Sequence, residues 1–161
     1  IPMSLAIALT IRVGTYYGEQ NWDAMRRVQG LGLMTATILA LLIMLLLWVF
    51  RSEIVALYTS DPMVTQIALY LVLFAVAYQL MDAWQISAAG CLRGMQDTKG
   101  PMWITMIAYW VIAFPVGVYL SRFTDMSAAG VWVGLIVGLS VACVLLLMRL
   151  YGNNKRLIQQ A

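Results

Sequence analysis

Residues 62–101 read PMVTQIALYLVLFAVAYQLMDAWQISAAGCLRGMQDTKGP, and how this stretch is read decides the fold. Ser60-Asp61-Pro62 is a strong helix start, a capping side chain followed by proline at the first helical position. Met63 to Met81 then carries no charge, and Asp82 follows inside what the pattern predicts to be a membrane helix. The helix is expected to give way to the polar run Leu92-Arg93-Gly94-Met95-Gln96-Asp97-Thr98-Lys99-Gly100-Pro101.

Working outward, similar uncharged runs occupy Val28–Phe50, Gly100–Ser121 and Met126–Met148. Each is long enough, at about 1.5 Å per residue, to cover a hydrocarbon layer of about 30 Å. Hydrophobic residues make up 63% of the chain and charged residues 11%. A soluble core could not hide that much apolar surface, so a bilayer must be its solvent. The expected fold is an all-α polytopic membrane bundle. Its parts are a half-helix over 1–17, a surface elbow over 18–28, spans at about 29–50, 62–91, 101–121 and 127–149, and a tail over 150–161. The opening run Ile1–Ile11 stops at Arg12 and has no basic n-region. As a helix it would rise only about 16 Å, so it reads as half of a transmembrane helix rather than a signal peptide. The chain is accordingly expected to be part of a longer protein, with the missing amino-terminal portion as its first partner.

The basic residues divide unevenly between the two ends of these spans. Arg12, Arg26, Arg27, Arg93, Lys99, Arg149, Lys155 and Arg156 fall on one side, and Arg51 and Arg122 on the other. The positive-inside rule places the first group, and the C-terminus, in the cytoplasm, while the connections Arg51–Asp61 and Arg122–Asp125 face outward. The net charge of +3 belongs to this topology and to lipid headgroups, so no nucleic-acid partner is expected.

Histidine is absent, and Cys91 and Cys143 lack metal-ligand spacing and read as small apolar side chains. No phosphate-binding loop or nucleophile-and-base arrangement occurs, so neither an enzyme nor an ATP-driven pump is expected, and no cofactor. Any transport would be driven by an ion gradient.

The chemistry centres on Asp82. An ionised carboxylate inside hydrocarbon costs several kcal/mol unless paired, protonated or hydrated, and no Lys, Arg or His lies within another span to pair it. It therefore suits a proton, a cation such as Na+ (making it a candidate metal ligand), a cationic substrate, or a partner elsewhere. On a helical wheel Tyr78, Gln79 and Gln85 fall within about 60° of Asp82, with Ala75 and Ala89 on the same small, polar stripe. Gln79 and Gln85 are candidate cavity-lining residues.

Several other features read as structural. Asn21 is expected to cap a helix beginning at Trp22, Asp23 and Arg27 can pair on its exposed face, and Trp22, Met25 and Gln29 can lie along the membrane interface. Thr35 and Thr37 can bond back to their own helix and are given no role. Gly94 and Gly100 are expected to allow tight turning, Asp97 and Thr98 to cap the next helix, and Pro101 to fill its first turn; Arg93 and Lys99 sit at headgroup level. Pro115 permits a kink that could act as a hinge. Gly130, Gly134, Gly138 and Ala142, four apart, form a small-residue ridge for close helix packing.

The loop 92–101 resembles the LRGxGDTKxP signature of the multidrug and toxic compound extrusion family, found after the tenth of twelve transmembrane helices arranged in two six-helix lobes; Gln96 stands where many members have glycine. Arg12-Val13-Gly14 looks like that family's cytoplasmic loop after helix eight, and residues 114–119 and 129–139 are similar to helices eleven and twelve. The resemblance is closest to the NorM branch, which carries a tyrosine and an aspartate four apart on helix ten, matching Tyr78 and Asp82. It implies secondary multidrug efflux from a bacterial inner membrane, exporting cationic and amphipathic drugs in exchange for Na+ or H+. The coupling ion would bind at Asp82 with Tyr78 in support, an activity tied to antibiotic resistance. Two other readings are a lipid-linked oligosaccharide flippase of the same superfamily, disfavoured by the lack of intramembrane Lys or Arg, and a structural membrane subunit.

Overall fold

The computed structural model describes residues 2–124 and 127–160. Ile1, Asp125, Met126 and Ala161, which belong to the expected half-helix, outward connection, last span and tail, lie outside them. Among the described residues all regular structure is helical. The helices are α1 (Pro2–Gly18), α2 (Trp22–Val49), α3 (Arg51–Ala56), α4 (Pro62–Gly94), α5 (Lys99–Ile107), a π-helical segment (Ala108–Ala113), α6 (Phe114–Phe123) and α7 (Ser127–Gln160). Among the described residues four stretches are long and apolar enough to cross a bilayer: Trp22–Val49, Pro62–Gly94, Lys99–Phe123 and Ala129–Leu157. The third is assembled from α5, the π segment and α6 without interruption.

The chain is organised around α4, which packs on α1, α2, α3 and α7. Its start follows the sequence. The Asp61 carboxylate accepts the Met63 N–H at 2.8 Å and the Val64 N–H at 3.4 Å. Pro62 fills the first turn. Asn21 likewise caps α2 by accepting the Ala24 N–H at 3.2 Å. From Ala83 to Gly94 α4 is largely buried, and no residue between Pro62 and Asp82 is. Asp82 therefore marks the border between a packed half and an uncovered half of one helix.

Small residues set how closely α1 and α4 approach. A Cβ at Gly90 would lie 2.7 Å from the Ala6 carbonyl oxygen, and one at Gly94 2.7 Å from that of Thr10. Thr10 Oγ1 uses this proximity to donate to the Gly90 carbonyl at 3.0 Å across the helix pair. Such contact between small residues replaces the hydrophobic drive that lipid cannot supply. The glycine ridge of α7 does the same against the third span. Gly130 faces the Leu120–Ser121 backbone, Gly134 faces Gly117 and the Ala113 carbonyl, and Gly138 faces Ala113 and the Ala108 carbonyl. Cys91 and Cys143 are both free and buried.

Two helices end in the same way. Asp97 N–H donates to the Leu92 carbonyl and Gln96 N–H to that of Arg93; Asn21 and Gln20 repeat the pattern on Tyr16 and Tyr17. These are Schellman ends, in which the left-handed position is usually given to glycine. Here Gln96, at φ 61°, and Gln20, at φ 56°, occupy it. A side chain there costs about 1 kcal/mol. Gln96→Gly is expected to raise the thermal unfolding midpoint in detergent by an amount equivalent to about 0.5–1 kcal/mol, after allowing for the greater freedom of glycine in the unfolded chain; an unchanged or lowered midpoint would contradict this.

Several expectations are corrected. Residues 18–28 do not form a separate surface elbow: after the turn at 19–21 the first residues of α2 continue straight into the span, and Met25 and Gln29 are buried in the bundle rather than spread along an interface. Gln29 Nε2 donates to Met95 Sδ at 3.5 Å, and Asn154 Nδ2 donates to Gln29 Oε1 at 2.7 Å, so this face was chosen by polar partners on α7 and the 95–98 loop. Arg12-Val13-Gly14 lies within α1, not in a loop. Asp23 and Arg27 form no ion pair; among the described residues the pair found joins Arg149 and Asp97. The tail is helical where it is described, since α7 runs on to Gln160. Gly94 and Gly100 do not have the positive φ of a turn; both lie within helices, and Gly94 serves the close approach of the α1 backbone. Thr37, besides bonding back to Leu33, accepts the Trp84 indole N–H at 2.8 Å and so joins α2 to α4.

Candidate cation site

At about 1.5 Å of rise per residue, Asp82 lies about 18 Å along the axis from the last residue of α4 and about 30 Å from Pro62. Ionic partners are missing at this depth: none of the basic residues falls between 63 and 92 on its own helix, and no described cation lies within ion-pair distance. The side chain recorded beside the carboxylate is a neutral phenol. Tyr78 is one turn away on the same face and neighbours both Asp82 and Tyr109 of the π segment. Gln85, 7% exposed, is three residues further along the stripe and accepts a hydrogen bond from the Tyr109 hydroxyl at 3.0 Å. Of these contacts, Tyr109 to Gln85 alone has full hydrogen-bond geometry. Gln79 is half-buried and makes no side-chain hydrogen bond among the described residues, so it does not join the cluster.

One carboxylate with phenol and amide oxygens suits a proton or a monovalent hard cation. Among the described residues no group of three or more His, Cys, Asp or Glu side chains gathers as a transition-metal or calcium site would. Beside the cluster, a cleft of about 300 Å³ opens between the third span and α7, lined by Tyr109, Trp110, Phe114, Val118 and Leu135. Asp82 does not line this cleft; Tyr109 is the residue common to both.

Sequence reasoning missed Tyr109, because one more aromatic residue in a span is indistinguishable from an interfacial belt residue. The π segment around it has a local cause. Pro115 has no N–H to offer the Val111 carbonyl, and the Phe114 N–H donates back five residues, to the Tyr109 carbonyl, in the wide π pattern. Pro115 thus sits beside a widened turn, a different distortion from the simple kink expected.

The polar loop forms a second cluster. Asp97 Oδ2 accepts Arg149 Nε at 2.6 Å and Asn153 Nδ2 at 3.0 Å, while Oδ1 accepts Arg149 Nη2 at 3.1 Å and the Gly100 N–H at 3.2 Å. Thr98, at the N-cap, makes no side-chain capping bond, so Asp97 alone caps α5. A Cβ at Gly100 would meet the Arg149 guanidinium, with Nη2 2.6 Å away, so a side chain there would push the guanidinium off Asp97. Pro101 is buried in the first turn of α5, and Arg93 and Lys99 are exposed. The motif is thus a clamp that fixes α7 to the α4–α5 corner.

The clamp has a pH signature. Arg149 above all, then Asn153 and the Gly100 N–H, hold the Asp97 carboxyl below the usual carboxylate range, with partial burial working against them. A depressed folded pKa stabilises above the unfolded value of about 3.9, and that contribution disappears as pH falls through the folded value. The unfolding midpoint in detergent is expected to drop as the sample is acidified below about pH 5, with a shallower drop for Asp97→Asn; identical acid slopes would refute the clamp. Because Arg149 is 43% exposed, solvent screening keeps the effect modest.

Known proteins share both the sequence and the helix arrangement. The probable multidrug resistance protein NorM of Acinetobacter baylyi is 73% identical over the whole chain, which covers 36% of that protein. Multidrug resistance protein NorM of Vibrio cholerae is 41% identical across 96% of the chain, which covers 35% of it. The chain thus spans about a third of the curated relatives it matches. A eukaryotic MATE transporter, AtDTX14, shares the fold with a TM-score of 0.87 at 20% identity, over 99% of this chain and 37% of that one. An inward-facing multidrug resistance MATE family transporter of the MOP superfamily does so with 0.88 at 16%, over 97% and 36%. A family profile described as MatE matches residues 1–119. With its four candidate spans and its 92–101 signature, this multi-pass membrane chain belongs to the MatE family, the multidrug and toxic compound extrusion transporters.

Proposed function

We propose that this chain forms part of a secondary multidrug exporter, which moves cationic and amphipathic drugs out in exchange for Na+ or H+, and that Asp82 is the coupling-ion site with Tyr78 in support. The single observation carrying this reading is a carboxylate well inside a membrane helix, without a described cationic partner and beside the phenol of Tyr78. Such a group must acquire a cation to remain in hydrocarbon and must lose it again if the ion is to travel. Exchange of ion for drug at a site of this kind requires no enzyme chemistry and no cofactor.

The remaining portion of the transporter, the bilayer and the drugs would be its partners, in a bacterial inner membrane with the C-terminus cytoplasmic. The orientation is supported by the clustering of positive charge, since the Asp97 clamp and the Gln29–Asn154 bond bring Arg26, Arg27, Arg93, Lys99, Arg149, Lys155 and Arg156 to one end. Flux of a fluorescent cation in proteoliposomes of the full-length transporter tests the reading. Export driven by an imposed Na+ or H+ gradient supports it. Flux indifferent to both gradients, or transfer of a lipid-linked sugar in its place, contradicts it.

A further inference from the structure

We propose that Tyr109 is a positioning residue for the coupling cation: its hydroxyl fixes Gln85 beside Asp82 and ties the occupancy of that site to the π-helical segment Ala108–Ala113. The inference rests on the reading of Asp82 as the coupling site and extends it to a second span. Tyr109 is the point at which three features meet. Its hydroxyl donates to Gln85 Oε1 at 3.0 Å. Its backbone carbonyl receives the Phe114 N–H in the widened turn, where the missing N–H of Pro115 leaves the ladder free to slip. Its ring lines the aromatic cleft shared with Trp110, Phe114 and Leu135.

Gln85 is buried, so its amide oxygen needs a partner, and Tyr109 is the one that holds it on the Asp82 stripe. A cation that takes oxygen ligands from Asp82 and Gln85 binds more tightly when that oxygen is already held in place. The π segment is the natural receiver of the change. A π turn carries one residue more than an α turn, and a shift between the two registers rotates the following helix by about 100° per residue. Ala108 and Ala113 of that segment face Gly134 and Gly138 of α7, so a register shift there moves the third span against α7.

The test is transport by the full-length protein in proteoliposomes, measured as a function of Na+ concentration and of pH, for wild type, Tyr109→Phe, Gln85→Met, the double variant and Asp82→Asn. Tyr109→Phe removes one hydroxyl. It is expected to raise the cation concentration for half-maximal export about fivefold, the size of one hydrogen bond, and to do so by more than it lowers the maximal rate. Gln85→Met, which removes the amide oxygen itself, is expected to give a shift at least as large, and the double variant no shift beyond that of Gln85→Met, because without Gln85 the Tyr109 hydroxyl has nothing to position. The Gln85 variant keeps the test decisive if Tyr109→Phe fails to accumulate. If Asp82→Asn uncouples transport while Tyr109→Phe and Gln85→Met keep the wild-type cation dependence, or if their shifts simply add, Tyr109 has no positioning role. If Asp82→Asn itself leaves coupling intact, it is the Asp82 reading that has failed.

Discussion

Asp82→Asn in the full-length transporter is expected to leave a folded carrier at normal abundance that no longer accumulates or expels a cationic dye against its gradient. Asparagine matches aspartate in size and still hydrogen-bonds, so the neighbouring Tyr78 and Gln85 keep their places. What it cannot do is take up a proton or offer a negative charge to Na+. Coupling between two ligands is typically about 1–3 kcal/mol, a factor of roughly 5–150 in affinity, and removal of the group that binds one of them removes all of it. Gradient-driven export should therefore fall to background, whereas downhill dye exchange persists. Because a neutral side chain at this depth removes a desolvation cost, the variant should unfold no more readily than wild type. Unchanged coupling at normal expression would sink the assignment.

The second large effect is structural. Gly134→Val is expected to prevent stable assembly of α7 against the third span, costing about 3 kcal/mol or more. The clash is with main chain, the Gly117 backbone and the Ala113 carbonyl oxygen at 2.8 Å, which no rotamer change relieves. Gly152 supplies the internal control. It also lies in α7, but a Cβ there meets nothing within 4 Å. Gly152→Ala should therefore be neutral or stabilising by up to about 1 kcal/mol. Detergent-resistant folded yield by size-exclusion chromatography separates the two; equal yields would mean that the ridge does not set the helix spacing.

The elements that sequence reasoning located were those whose cause is local. Ser60-Asp61-Pro62 and Asn21 start helices through bonds to residues two or three positions on. Asp82 was visible because a charge inside an apolar run has no local excuse. The four-residue spacing of Gly130, Gly134 and Gly138 was legible as a packing ridge, although not which helix it would meet.

What remained hidden depends on partners far away in sequence. Arg149 and Asp97 are separated by 52 positions, and without their contact the 92–101 loop looks like a set of turn residues. Gly94 reads as a turn residue because a polar run follows it, although its spacing of four from Gly90 is the same packing signal as the ridge in α7. The start of α2 reads as a surface segment because it follows a short polar stretch and carries Trp22, Met25 and Gln29, and the burial of Gln29 makes sense only once Asn154 and Met95 are seen beside it. Tyr109 carried no signal at all, since its partner Gln85 lies on another helix.

The central claim, that Asp82 is the group that takes up and releases the coupling cation, is tested most directly by difference infrared spectroscopy of the full-length transporter in lipid, at the carboxylic C=O stretch. On addition of Na+ or on raising the pH, the wild-type protein should show loss of a protonated-carboxyl band, and Asp82→Asn should lack that change. The same band change persisting undiminished in Asp82→Asn would place cation exchange at another carboxylate and contradict the account.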